Sequence, residues 1–212
     1  MGRTSIFFIL LIIFWLAGHA GLSRDLNWYE GTVIFVNQTQ KTGELHLNMD
    51  LGLLLIKESN GIKTFPAFKV KYVELYDDKM AKMRSFISLP YKSSRFNQAS
   101  NLFEVVLQGE LFVLRRQQNT FDMVLETNLT GKYPNPNPFD KEHYVYYLYD
   151  GFQLTKLRHL NKKRLSSLVE KYGIEVDSYA KRKRINYKDT FGRIQVIAYY
   201  NAISQCKKEG DC

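Results

Sequence analysis

Cysteine is nearly missing from this chain: of 212 residues only Cys206 and Cys212 are cysteines, both within the last seven positions. That excludes a disulfide framework through the body, and five intervening residues with no third cysteine exclude a thioredoxin-type pair or a cysteine-based zinc cluster. Histidine is equally sparse. After residue 20 only His46, His143 and His159 remain, none spaced to share a metal or a substrate with another. There is no Gly-x-Ser-x-Gly, no His-Glu-x-x-His and no phosphate-binding glycine loop, so no motif asks for a metal or a cofactor. Beyond Ala20 no apolar run approaches the roughly 20 residues that a spanning helix needs.

What is present begins with a targeting segment. Arg3 precedes an unbroken apolar run from Ile6 to Ala17, and the small residues Gly18 and Ala20 follow. About a dozen apolar residues suit a secretory leader better than a bilayer span. Residues 1–20 therefore read as a signal peptide cleaved after Ala20, with an uncleaved anchor as the rival reading, and the destination is periplasmic or extracellular. About 190 residues remain, enough for one sizeable core.

Two-residue periodicity dominates up to residue 157. Gly31–Val36 is β-branched, Glu44–Asn48 alternates, and Phe68–Tyr76 places Phe68, Val70 and Tyr72 on one face. Asn37–Gly43, Asp50–Gly52, Asn60-Gly61, Gly109-Glu110 and Asp150-Gly151 punctuate these runs as turns, the last between two aromatic-rich segments. Met83–Leu89 reads as a strand, Pro90–Asn101 as a polar loop, and Asn128–Lys141, with Pro134, Pro136 and Pro138, as an extended connection.

Beyond residue 157 the period becomes helical. Leu165, Leu168, Val169 and Tyr172 share a stripe, with Asn161 as N-cap and Gly173 as the stop. A short segment holds Val176, Tyr179 and Ala180. A last helix runs from about Lys188 into the Ala202 region, with Phe191, Ile194, Ile197 and Ala198 inward and Gly192 weakening it by ~1 kcal/mol. The expectation is an α+β fold, mainly β: an antiparallel β-meander of about eight to eleven strands, a twisted sheet or partial barrel over 21–157. Two or three C-terminal helices over 158–205 pack on it, and 206–212 form a flexible tail.

Charge is divided unevenly. Residues 22–150 carry fifteen Lys/Arg against fifteen Asp/Glu, whereas 151–212 carry fourteen against six. The excess concentrates in Lys162, Lys163 and Arg164 and in Lys181, Arg182, Lys183 and Arg184, joined by Lys156, Arg158 and Lys188. Such a cluster suits an anionic lipid, a polysaccharide or an acidic protein, and export argues against nucleic acid; the plain rival is a solubilising face. Asp77-Asp78 reads as a solvated turn, and Tyr144, Tyr146, Tyr147 and Tyr149 as a strand packed on both faces rather than a stacking platform. Cys206 and Cys212 are able to close a small loop in an oxidising compartment, or to stay free or pair between molecules. Asn37-Gln-Thr39 and Asn128-Leu-Thr130 match the glycosylation acceptor pattern, which is without meaning in a bacterium.

Through its leader, its Gly31-Thr-Val-Ile opening strand, the Phe103–Gly109 hairpin, the Tyr144–Tyr149 strand and Tyr199-Tyr200-Asn201, the chain resembles a loosely defined group of exported β-rich proteins of Gram-negative bacteria. The group has no established activity. The resemblance implies a compartment and an architecture, and no residue roles. Three functional readings follow: a non-enzymatic envelope protein using the basic helical face, a hydrolase of envelope polymers whose site assembles only in three dimensions, and an assembly subunit using a strand edge.

Overall fold

The computed structural model describes residues 26–92, 98–117 and 144–210. Residues 1–20, read above as a signal peptide, the proline-rich connection, His143, the Asn128 triplet and Cys212 lie outside the described residues. Ten strands form one antiparallel sheet: β1 (Tyr29–Phe35), β2 (Gln40–Asn48), β3 (Leu53–Glu58), β4 (Gly61–Pro66), β5 (Val70–Asp77), β6 (Lys82–Lys92), β7 (Gln98–Leu107), β8 (Phe112–Gln117), β9 (Tyr144–Tyr149) and β10 (Leu154–Lys156). Three helices follow: α1 (Lys162–Leu168), α2 (Gly173–Arg182) and α3 (Thr190–Glu209). The fold is the α+β, mainly β meander with C-terminal helices, and its sheet is not closed.

The meander has one departure. Its order is β10-β9-β8-β7-β6-β5-β1-β2-β3-β4, so β5 returns from the β4 edge to pair with β1. A 3-10 turn over Ala67–Lys69 makes that return, tied by Ala67 N–H donating to the Gly52 carbonyl (2.8 Å) and Ser88 Oγ donating to the Ala67 carbonyl (2.7 Å). These bonds curl β1–β4 back over β6. Inside the curl lie Val33, Leu45, Leu54, Ile56, Val70, Val73, Leu75, Phe86 and Leu102. Gly31 is required where β1 meets β5, because a Cβ there would stand 2.4 Å from the Glu74 carbonyl oxygen.

The helices cover the same sheet face farther along, over β8 and β9. Val113 and Leu148 pack there with Leu165, Val169, Val176, Val196, Ile197 and Tyr200. On the opposite face Phe103, Leu114 and Tyr147 form a smaller cluster, with Tyr147 edge-on to Phe103 and Tyr91. Tyr146 meets the helical core and Tyr147 the opposite cluster, so β9 is packed on both sides.

Several boundaries differ from the sequence reading. Phe68 is not an inward strand residue; it sits on the 3-10 turn and is 63% exposed. Pro90 continues β6 rather than opening a loop, pairing with Ser100 of β7 beyond the end of the β5 pairing, where β6 has a strand partner on one side. Gly173 opens α2 with helical angles instead of stopping α1, which ends in a 3-10 turn over Glu170–Tyr172. The Asp150-Gly151 turn is longer by two residues, since the Asp150 carboxylate accepts the N–H groups of Phe152 and Gln153.

In α3, Phe191 faces solvent at 61% exposure, because Val196, Ile197, Tyr200 and Asn201 set the buried stripe. Gly192 weakens nothing here. A Cβ would meet the Asn186 carbonyl oxygen at 2.2 Å, so this close loop crossing needs glycine. The helix also runs on through Cys206 to Glu209, past the start assigned to the tail, and ends at Gly210 with φ 80°.

Candidate anion-binding face

Asn161 caps α1 as expected, its Oδ1 accepting the Arg164 N–H at 2.9 Å. That cap presents Lys162, Lys163 and Arg164 on the first turn, all exposed. Lys181, Arg182, Lys183 and Arg184 stand equally exposed at the far end of α2. Lys162 Nζ lies 5.3 Å from the centre of the Tyr187 ring, which brings the first triplet beside the loop after the second group. Arg164 turns instead toward Gln153, 3.5 Å away.

None of these seven cations forms an ion pair among the described residues. The lysines and arginines that end α2 complement the negative end of its dipole, a structural use that competes with ligand binding. Arg184 adds a cost of its own. Its φ is 51°, a left-handed position after a helix that glycine fills more cheaply. Of the residues expected to join the two groups, Lys188 is exposed in the α2–α3 loop, and Arg158 is exposed on the 3-10 turn Leu157–His159, its Nε 3.2 Å from His159. Burial lowers the Arg158 pKa, and burial followed by Arg158 and Lys156 lowers that of His159.

The sheet holds a different kind of charge, which sequence reasoning missed. Glu104 on β7, 5% exposed, accepts from Arg84 on β6 (2.8 and 3.1 Å) and from Arg115 on β8 (2.9 and 3.0 Å). Arg84 also reaches Asp77 at 2.9 Å, and the Arg115 guanidinium lies 4.0 Å from the Tyr144 ring centre. Asp77 is therefore no solvated turn residue. It is 2% exposed and accepts the backbone N–H groups of Lys79 and Met80 besides Arg84. Burial by itself would raise the Asp77 and Glu104 carboxyls, but the hydrogen bonds from the arginines outweigh it and hold both below the usual range. The cross-strand pairs Glu104–Arg115 and Phe86–Glu104 align the ladder, a register that single-strand patterns do not contain.

A second polar constellation fastens α3 to the β7–β8 hairpin. The Asn201 side chain donates to the Leu111 carbonyl (2.7 Å) and accepts the Leu111 N–H (3.0 Å), and Gly109 leaves room for it, since a Cβ would lie 2.3 Å away. Glu110 accepts from Ser204 (2.5 Å) and Tyr200 (2.9 Å), with Lys208 at 3.3 Å. Hydrogen bonds from Ser204 and then Tyr200 pull the Glu110 carboxyl down to about 2, while burial and that carboxylate push Tyr200 up to about 12. A cavity of about 420 Å³ adjoins these groups. Its chemistry is that of a clasp: a carboxylate so acidic is a weak base for a serine at neutral pH, and no histidine lines the space.

Among the described residues no three His, Cys, Asp or Glu converge to hold a metal, and no helix is long and apolar enough to cross a membrane. His46 Nδ1 on β2 is 2.9 Å from the Asn27 carbonyl oxygen and His159, just after β10, is 3.2 Å from Arg158; β2 and β10 lie toward opposite ends of the strand order. Cys206 is half-buried in the last turns of α3, and its pairing with Cys212 falls outside the described residues. Asn37 lies in the β1–β2 turn, where its Oδ1 accepts from Thr39. Both sheet edges are blunted. β10 has three residues, and β4 carries Lys63 and Pro66. No protein-family model matches the chain, and neither a curated protein nor a solved structure matches it.

Proposed function

We propose that the protein is an exported, non-enzymatic component of the cell envelope that holds to an anionic surface or an acidic partner through α1 and the end of α2. The observation that carries this reading is the set of seven exposed cations, Lys162–Arg164 and Lys181–Arg184, without an acidic partner among the described residues. A cation kept unpaired at the surface retains its full attraction for an external anion, which a paired one does not. The strand-edge reading is weakened by the blunted β4 and β10.

Sedimentation with vesicles tests the proposal. The chain should pellet with vesicles containing anionic lipid at low salt and remain in solution at high salt, with zwitterionic vesicles as reference. Replacing Lys181, Arg182, Lys183 and Arg184 by glutamine should abolish pelleting. Pelleting that survives both salt and substitution would reduce these cations to a solubilising face.

A further inference from the structure

The curled half of the sheet has an open mouth where its inner face is charged. Strand alternation is the reason this is unusual: Lys41 lies directly opposite Val33 and Lys63 opposite Ile56, and both apolar partners are buried in the curl. Two lysines therefore stand on the inner face, where that core surrounds them on one side. They meet at Glu58, whose carboxylate takes both ammonium groups at 2.5 Å. Lys69 stands on the same mouth, carried by the 3-10 turn. Three cations against one carboxylate leave a net charge of two at the opening.

The floor is aromatic. The Phe35 and Phe65 rings lie 4.8 Å apart, with Lys41 Nζ 6.0 Å from the Phe65 ring centre. The walls are Val36 and Phe68, exposed at 58% and 63% although each adjoins buried structure. They are held there by the backbone: Val36 N–H donates to the Lys69 carbonyl at 2.9 Å, and Phe35 N–H to the Thr39 carbonyl at 2.9 Å. Rigid main-chain bonds thus keep two large apolar side chains in water beside a cationic rim. The space between them is about 720 Å³, within the range of about 300–1,000 Å³ of small-molecule sites.

We propose that this mouth binds a small amphiphilic anion, an acyl chain carrying one carboxylate, with the chain on Phe35, Phe65, Phe68 and Val36 and the carboxylate among Lys41, Lys63 and Lys69. The two halves of the ligand answer the two halves of the site. An apolar chain covers the exposed aromatic surface, and a single negative head meets the uncompensated charge; a cationic head would be repelled, and a head without a chain would leave the floor wet. The site lies on the β1–β5 curl and does not depend on the basic helical face.

Calorimetric titration of the full chain with decanoate, decyltrimethylammonium and acetate separates the contributions. Decanoate should bind, and the other two should not. Phe68→Ser, at an exposed position that leaves the core intact, should weaken decanoate by about tenfold, a change of ~1.4 kcal/mol. Lys69→Glu should weaken it as well, while the glutamine variant of Lys181–Arg184 should bind decanoate unchanged. Equal binding of the cationic and anionic chains, binding of acetate as tight as decanoate, indifference to Phe68→Ser, or no heat with monomeric decanoate would each overturn the proposal.

Discussion

Two populations of cations divide this molecule. In the sheet, Arg84 and Arg115 close on Glu104 with four hydrogen bonds of 2.8–3.1 Å, and Asp77 takes the remaining face of Arg84. In the helical cap, Lys162–Arg164 and Lys181–Arg184 stand exposed and form no ion pair among the described residues. The difference teaches that a charge balance is a statement about burial. A guanidinium taken out of water needs acceptors, carboxylates for Arg84 and Arg115 and the Tyr187 and Leu157 carbonyls for Arg193, while a solvated lysine needs none and the excess collects in the cap.

The comparison is broken most directly at the ladder. Glu104→Gln keeps the shape but leaves Arg115 without a carboxylate and Arg84 with Asp77 alone, and should cost about 3 kcal/mol in urea unfolding. A loss below ~1 kcal/mol would mean that the arginines reach water and that the two populations differ little. At the clasp, Asn201→Ala leaves both the N–H and the carbonyl of Leu111 without their side-chain partner, and should cost about 2–4 kcal/mol. Proteolysis should then release the helices before the sheet.

Acid sharpens the same point. The folded Glu110 carboxyl, at about 2, lies below the 4.5 of an unperturbed glutamate, and Glu104 and Asp77 are lowered as well. Depressed carboxyls contribute stability that is complete above the unfolded value and is lost as pH falls through the folded one. The unfolding midpoint should therefore decline below pH 4.5 toward pH 2, and Glu110→Gln should flatten part of that decline. A midpoint insensitive to this window would remove the charged pairing from the account of stability.

Effects in the cap should be small or of opposite sign. Arg184→Gly relieves a left-handed non-glycine position and should raise stability by ~1 kcal/mol while weakening vesicle binding. The glutamine variant of Lys181–Arg184 should hold stability within about 0.5 kcal/mol of the parent and still lose pelleting. Stability and binding that fell together would show these cations to be part of the scaffold.

Local patterns carried most of the architecture. The antiparallel meander, the helical end and the Asn161 cap rest on periodicity and capping, which act between neighbours in the chain, whereas the turn expected at Asn60-Gly61 sits one residue earlier, at Ser59-Asn60, because Gly61 opens β4 opposite Glu58. The same is true of the charge asymmetry, since exposed cations reveal themselves by composition alone. Phe191, Gly173 and Phe68 were misread for one reason: helix phase and strand continuity near an end are settled by what packs against them. Asp77 was misread because its partner, Arg84, stands on the next strand, and nothing in Asp77-Asp78 announces that pairing.

By itself the sequence determined strand against helix over most of the described chain and the location of surplus charge, because those follow from the conformational preferences and solvation of single residues and near neighbours. Tertiary structure decided the return of β5 to β1, the Arg84–Glu104–Arg115 ladder, the Asn201 clasp and the lysine-rimmed mouth of the curl. Each of these joins residues from different strands or from residues 90 apart in the chain, as Leu111 and Asn201 are. Their free energy comes from desolvation and pairing that exist only once the sheet has curled and the helices have docked.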